Sequence, residues 1–236
     1  MLVTSVGGCA AGTAMSDSSK GVDLLTELLQ KQRSELTSYA ALLRVKISHK
    51  GKIDDFRAEV FSRGDSLMSI YVRGFLGNSA FKALLAGDSL LVYFPSEHKY
   101  FRGRRHDLEA GELKDSRHIV NYLLALMHGF VIPPDSESWQ NNVRDHKRNM
   151  QITMDDRPQQ CNLRIEVSAD RQRFPYQQWK TLELRSTTGK LRVNIQVQSC
   201  HFNRGIPDEK FTIDLPPNTA LVSSDVLVEM LAGAAP

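Results

Sequence analysis

From Tyr39 to Arg102 apolar and polar residues alternate in short runs, each closed by turn-forming residues. Leu43, Val45 and Ile47 interleave with Arg44, Lys46 and Ser48, the period-2 pattern of a strand with one wet face. His49-Lys50-Gly51-Lys52 turns the chain, and Phe56, Ala58 and Val60 alternate with Arg57 and Glu59. Arg63-Gly64-Asp65 supplies the next turn, and residues 66–73, with Ile70 and Val72, predict a third strand. Two more are predicted at 81–85 and 90–94, and a sixth begins near Tyr100. Turn chemistry at every break describes an antiparallel meander.

Helical periodicity flanks and interrupts this meander. Val22, Leu25, Leu28, Leu29 and Leu36 recur at three- and four-residue spacing, predicting an amphipathic helix that runs directly into the first strand. After Arg104 a short helix at 107–113 and a second from about 116 to 129 are predicted. The second carries Ile119, Val120, Leu123, Leu124, Leu126 and Met127, with Phe130 beyond it, and is apolar over more than one stripe, so most of its surface needs cover. Pro133 and Pro134 end it.

A second meander follows, with strands at 149–155, 163–167 and 179–185, and the cleanest alternation of the chain at Leu191, Val193, Ile195 and Val197. Residues 211–217 read as an edge strand ended by Pro216 and Pro217. Ser224 or Asp225 can cap a last helix over 226–231. The pattern as a whole gives a mainly β, α+β chain of about ten antiparallel strands, with helices at the start, middle and end.

Composition narrows the function classes. A formal net charge of +3, with no Lys/Arg run interleaved with aromatics, argues against a nucleic-acid partner. No run of about 18 apolar residues is present to cross a membrane as a helix. Cys9, Cys161 and Cys200 are too few and too scattered for a zinc site or a disulfide scaffold. Cys161 and Cys200 fall on strands separated by another, which predicts two unpaired thiols. The seven histidines show no metal-ligand spacing, and no Gly-rich phosphate loop occurs, so neither a metal nor another cofactor is expected.

Two Gly-Asp-Ser-Leu tetrapeptides, at 64–67 and 87–90, resemble the nucleophile motif of a lipase/esterase family, and Asp115 and His118 provide an Asp-x-x-His downstream. In those enzymes the serine opens a helix after a strand. Here each copy leads into a strand, so the Gly-Asp pairs read as hairpin punctuation and the chain as a non-enzyme.

Val6-Gly7-Gly8-Cys9 resembles the lipobox of bacterial lipoproteins, in which the cysteine carries the lipid anchor. The apolar run before it is shorter than a signal h-region and lacks a basic flank, so residues 1–21 are expected to be a truncated signal or lipobox followed by an Ala/Ser/Gly-rich tether. Ala10 after Cys9, in place of an aspartate, points by the same resemblance to the outer membrane.

The order of elements over residues 22–222 resembles the LolA/LolB-like superfamily of periplasmic carrier domains. The resemblance rests on the helix-to-strand opening at 24–47, the turn–strand–turn unit at 87–95 and a closing strand at 211–217. It implies a single domain over 22–236: an unclosed antiparallel β-barrel with a helical lid at about 104–146 and a hydrophobic cavity for acyl chains. Leu43, Val45, Ile47, Phe56, Val60, Ile70 and Val72 from the sheet are then candidate lining residues, with Leu123, Met127 and Phe130 from the lid. Arg63-Gly64-Asp65 and Ser69-Ile70-Tyr71 depart from the Arg-Pro turn and aromatic Arg-Trp segment of the true carriers, so cargo or role can differ. The expected function is a lipid-anchored envelope protein that binds a lipid or lipoprotein acyl chain. The alternative is an assembly scaffold that binds another envelope protein and no lipid.

Overall fold

The computed structural model describes residues 34–49, 51–74, 79–105, 127–128, 144–146, 149–156, 161–168, 178–186 and 191–233. Twelve strands among them form one sheet, in the order β12-β6-β5-β4-β3-β2-β1-β11-β10-β9-β8-β7. The first meander is β1 (Ser38–His49), β2 (Lys52–Arg63), β3 (Leu67–Arg73), β4 (Ser79–Ala86), β5 (Ser89–Phe94) and β6 (Lys99–Arg104). The second is β7 (Arg144–His146), β8 (Asn149–Asp156), β9 (Cys161–Ser168), β10 (Gln178–Ser186) and β11 (Leu191–Phe202). The two join through the antiparallel β1–β11 pair. The two-residue β12 (Ala220–Leu221) adds in parallel to β6, and one helix, α1 (Ser224–Gly233), follows. β12 and β7 stand at opposite ends of this order, so the sheet is the unclosed half-barrel that the element order implied.

The meanders are built by their turns. Gly51, Gly64 and Gly87 have φ of 84°, 61° and 60°, and the hairpins at these points use a left-handed backbone that a residue with a Cβ adopts only at a cost. Both Gly-Asp-Ser-Leu copies are such turns. They also touch: the Gly87 amide donates to the Ser66 carbonyl at 2.6 Å, which ties the β4–β5 hairpin to the β2–β3 hairpin.

On β11 the apolar phase slips. Val193, Ile195 and Val197 keep a period of two, but the next apolar residues are Cys200 and Phe202. The β1–β11 register shifts between Leu42 and Leu43, with Leu43 opposite Val197 and Ala41 opposite Cys200. This bulge absorbs one residue and returns the apolar set to the same face, where an unbroken ladder would have turned Cys200 and Phe202 outward.

Several boundaries differ from the expectation. The count among the described residues is twelve strands, because β7 and β12 are three- and two-residue pairings too short to leave a periodic signal. Residues 211–217 are not an edge strand: Asp208–Phe211 is a 3-10 turn, and the chain from Thr212 to Thr219 pairs with no strand. Pro216 and Pro217 lack amide donors, and the segment is held through side chains on the outer face of β2 and β3 instead. Arg63 donates to the Asp208 carboxylate and the Ile206 carbonyl, the Tyr71 hydroxyl donates to the Lys210 carbonyl, and the Lys210 ammonium lies 4.7 Å from the Phe61 ring centre. Phe211 is buried beneath the Arg63 guanidinium. The last helix begins at Ser224, and its Val226 amide donates to the side chain of Ser223 rather than to Ser224 or Asp225. The lid interval of 104–146 is too wide at both ends, since Arg104 closes β6 and Arg144–His146 form β7. Of the first helix only Ser34 and Glu35 are described, and they are helical. The remainder of that helix, the lid helices before Met127, and residues 1–21 lie outside the described residues.

Candidate functional site

The alternation predicted for the first three strands places its apolar positions on one face. Across the β1–β2 pair Val45 stands opposite Phe56 and Leu43 opposite Ala58; across β2–β3 Val60 stands opposite Ile70 and Ala58 opposite Val72. Leu43, Phe56, Val60 and Val72 belong to the buried core cluster, and Val45, Ile47, Ile70 and Met127 pack against it half-buried. The seven sheet candidates therefore share the inner face, and Met127 reaches it from a segment remote in sequence. Leu123, Phe130 and Cys9 lie outside the described residues.

The same face continues on both sides. Leu85, Leu90, Val92, Phe94 and Phe101 extend it across β4, β5 and β6, and Ile195 and Leu182 extend it across β11 and β10. Ala58 and Ala83 sit near the middle of their strands among larger neighbours, and alternating small with large residues lets an inner face curve without crowding. α1 covers part of it, with Leu227 fully buried in the core cluster and Val222 and Met230 packed against that cluster.

Burial along this face is uneven. Tyr39, Leu43, Val60 and Leu182 are inaccessible, whereas Val45 and Ile47 on β1, and Val193 and Val197 on β11, are only partly covered. Register sets these four along one stripe with the core: Ile47 is opposite Val193, both partly covered, while Val45 is opposite the buried Ile195 and Val197 opposite the buried Leu43. Such a stripe is an apolar surface with water access, and covering it would gain roughly 25 cal/mol per Å².

Burial shifts the pKa of two groups that border the inner face. Cys200 is a free thiol, and burial pushes its pKa up to about 11, so it stays protonated and unreactive at neutral pH. It lies on β11 and Cys161 on β9, with β10 between them. His128 is buried beside the β2–β3 turn; burial lowers its pKa, against the upward pull of a hydrogen bond to the Gly64 backbone and of the Asp65 carboxylate. The serines of the two Gly-Asp-Ser-Leu turns, Ser66 and Ser89, are exposed, and Asp115 and His118 lie outside the described residues.

The sequence reading drew its sheet candidates from β1, β2 and β3 alone. The signal for the β11 contribution was in the alternation of Val193, Ile195 and Val197. That β11 lies beside β1, which makes the two rows one surface, had no signature in either strand.

No family model and no curated protein matches the sequence. Solved structures do align with it. An uncharacterised conserved protein from Thermus thermophilus aligns over 86% of this chain and 99% of its own, at 6% identity and a TM-score of 0.51. A DUF1329 family protein from Desulfovibrio piger aligns over 82% of this chain and 96% of its own, at 13% identity and a TM-score of 0.50. A LolA superfamily protein from Nitrosomonas europaea aligns over 80% of this chain and 97% of its own, at 14% identity and a TM-score of 0.39. At these identities the likeness concerns the fold alone, the half-barrel that the chain shares with the Thermus thermophilus and DUF1329 proteins.

Proposed function

We propose that this chain is a non-enzymatic binding protein of the bacterial cell envelope, anchored through Cys9, that accommodates the acyl chain of a lipid or lipoprotein against the inner face of its half-barrel. The observation that carries the reading is the partly covered stripe of Val45, Ile47, Val193 and Val197 along β1 and β11, continuous with the buried core. An acyl chain laid there replaces water over branched aliphatic side chains, at about 0.8 kcal/mol for each methylene removed from water. The placement of both Gly-Asp-Ser-Leu copies in hairpin turns supports a binding role over hydrolysis. Leu43, Phe56, Val60 and Val72 form the floor in this reading, while Val45, Ile47, Ile70 and Met127 are the residues in contact with ligand, together with Leu123 and Phe130.

Native mass spectrometry of the chain recovered from bacterial envelopes tests this. The expected result is a population heavier by one lipid, diminished when Val197→Trp fills the stripe. Protein recovered without lipid, and unable to take up a fatty-acyl lipid from vesicles, overturns the reading. Recovery instead with a stoichiometric envelope protein and no lipid establishes the assembly scaffold.

A further inference from the structure

β1 stays paired with β11 as far as His49, but on its other side the β1–β2 hairpin outreaches β3. β2 pairs with β3 only from Arg57 to Arg63, so Lys52–Phe56 run on past the last β3 partner, Arg73. Five residues at strand rise extend roughly 15 Å. Near the tip of this projection is Ile53, which at 71% exposure is the most accessible large apolar side chain among the described residues. Lys46 and Arg57 on the same face of the hairpin, and the adjacent Lys52, are exposed, while the exposed Arg192 on the adjoining β11 is paired with Glu183. Of the three acidic residues on the hairpin, Asp55 is matched by Arg44, whose guanidinium holds its carboxyl below the usual range, and Glu59 by Arg73 and Lys210, which leaves Asp54 against Lys46, Lys52 and Arg57. Positive charge is therefore in excess around a single branched aliphatic side chain.

We infer that this hairpin tip docks on an anionic phospholipid surface, with Ile53 entering the acyl–headgroup boundary and Lys46, Lys52 and Arg57 contacting headgroup phosphates. A protein partner fits the tip less well. The middle of a protein interface is depleted in charge and needs a broad apolar patch, whereas here one apolar residue stands among cations. Anionic lipid has the complementary demand, a negative plane with hydrocarbon just beneath it. The inference does not depend on an acyl chain bound beneath the sheet, because Ile53 and Ile47 belong to opposite faces of the hairpin.

Co-sedimentation of the full-length, unacylated chain with vesicles tests it. Binding is expected to vesicles of phosphatidylglycerol and phosphatidylethanolamine but not of phosphatidylcholine alone, and to fall as salt screens the charges. Ile53→Asp and the pair Lys46→Glu and Lys52→Glu should each weaken it about tenfold or more. Their thermal unfolding should match the parent's, as expected of exposed positions, and lipid found by native mass spectrometry should be unchanged. Absence of binding by the parent, equal binding to both vesicle types, or indifference to either set of substitutions overturns the proposal. Self-association of the parent without vesicles, abolished by Ile53→Asp, overturns it in favour of a second copy of this chain as the occupant.

Discussion

Asn203, immediately after β11, has a φ of 53° and binds the start of β1 through its side chain. Its Oδ1 accepts from the Thr37 amide at 2.8 Å and the Thr37 hydroxyl at 3.1 Å, and its Nδ2 donates to the Glu35 carbonyl at 2.9 Å. Asparagine tolerates the left-handed backbone that the turn requires, and its short amide reaches both a donor and an acceptor. Asn203→Ala should cost about 2 kcal/mol in denaturant unfolding, from lost hydrogen bonds and a strained φ. Asn203→Gly relieves the strain and should cost about 1 kcal/mol less. His128 gives a pH dependence. Its folded pKa lies below the ordinary 6.5 because burial disfavours the imidazolium. Above 6.5 the folded and unfolded states are both neutral at this site. As pH falls from there toward the folded pKa, the unfolded chain takes up the proton first and stability is lost. A urea midpoint that declines below pH 6.5 in the parent, and declines less in His128→Gln, is the expected result.

At the scale of elements, β1 is graded along its length. Leu43 is 1% exposed, while Ile47, two pairs toward the hairpin tip, is only half-buried. Leu43→Ala should destabilise by about 3 kcal/mol, since it opens a cavity among fixed neighbours. Ile47→Ala should cost about 1 kcal/mol, since much of that side chain already meets water. Denaturant midpoints of the two variants check the contrast, and equal losses would mean that the stripe is as fully packed as the core. The β11 bulge is an element-scale device that the sequence displayed openly: the spacing of Val197, Cys200 and Phe202 breaks the period by one residue, and the ladder shifts to match. Residues 211–217 misled for the opposite reason. Phe211, Ile213 and Leu215 alternate as a strand does, but the alternation there reflects a segment lying flat on the outer face of the sheet, fixed by Arg63 and Tyr71.

At the scale of the whole molecule, the order of strands decides what the inner face can hold. Neighbours in sequence are neighbours in space within each meander, but β1 and β11 are separated by more than a hundred residues, and their pairing fuses two half-sheets into one. The apolar rows of both meanders then form a single surface, with α1 returning from the far edge to cover part of it through Leu227. The outer face receives the crossing segment of Asp208–Phe211, and its charged and aromatic residues are used in holding that segment.

Local chemistry was readable in the chain because it is written at short range. Period-2 alternation named one buried face for β1, β2 and β11; glycines at 51, 64 and 87 set the hairpins; and the strands that follow Ser66 and Ser89 removed them as nucleophile-elbow serines. What the sequence could not decide was long-range. No residue in β1 records that Val193 will stand opposite Ile47, nor does any in β2 record that β3 will stop at Arg73 and leave Ile53 projecting. Alternation says which side of a strand is apolar, but partner, register and overhang are set by how all the strands share one sheet, and only the tertiary structure fixes these.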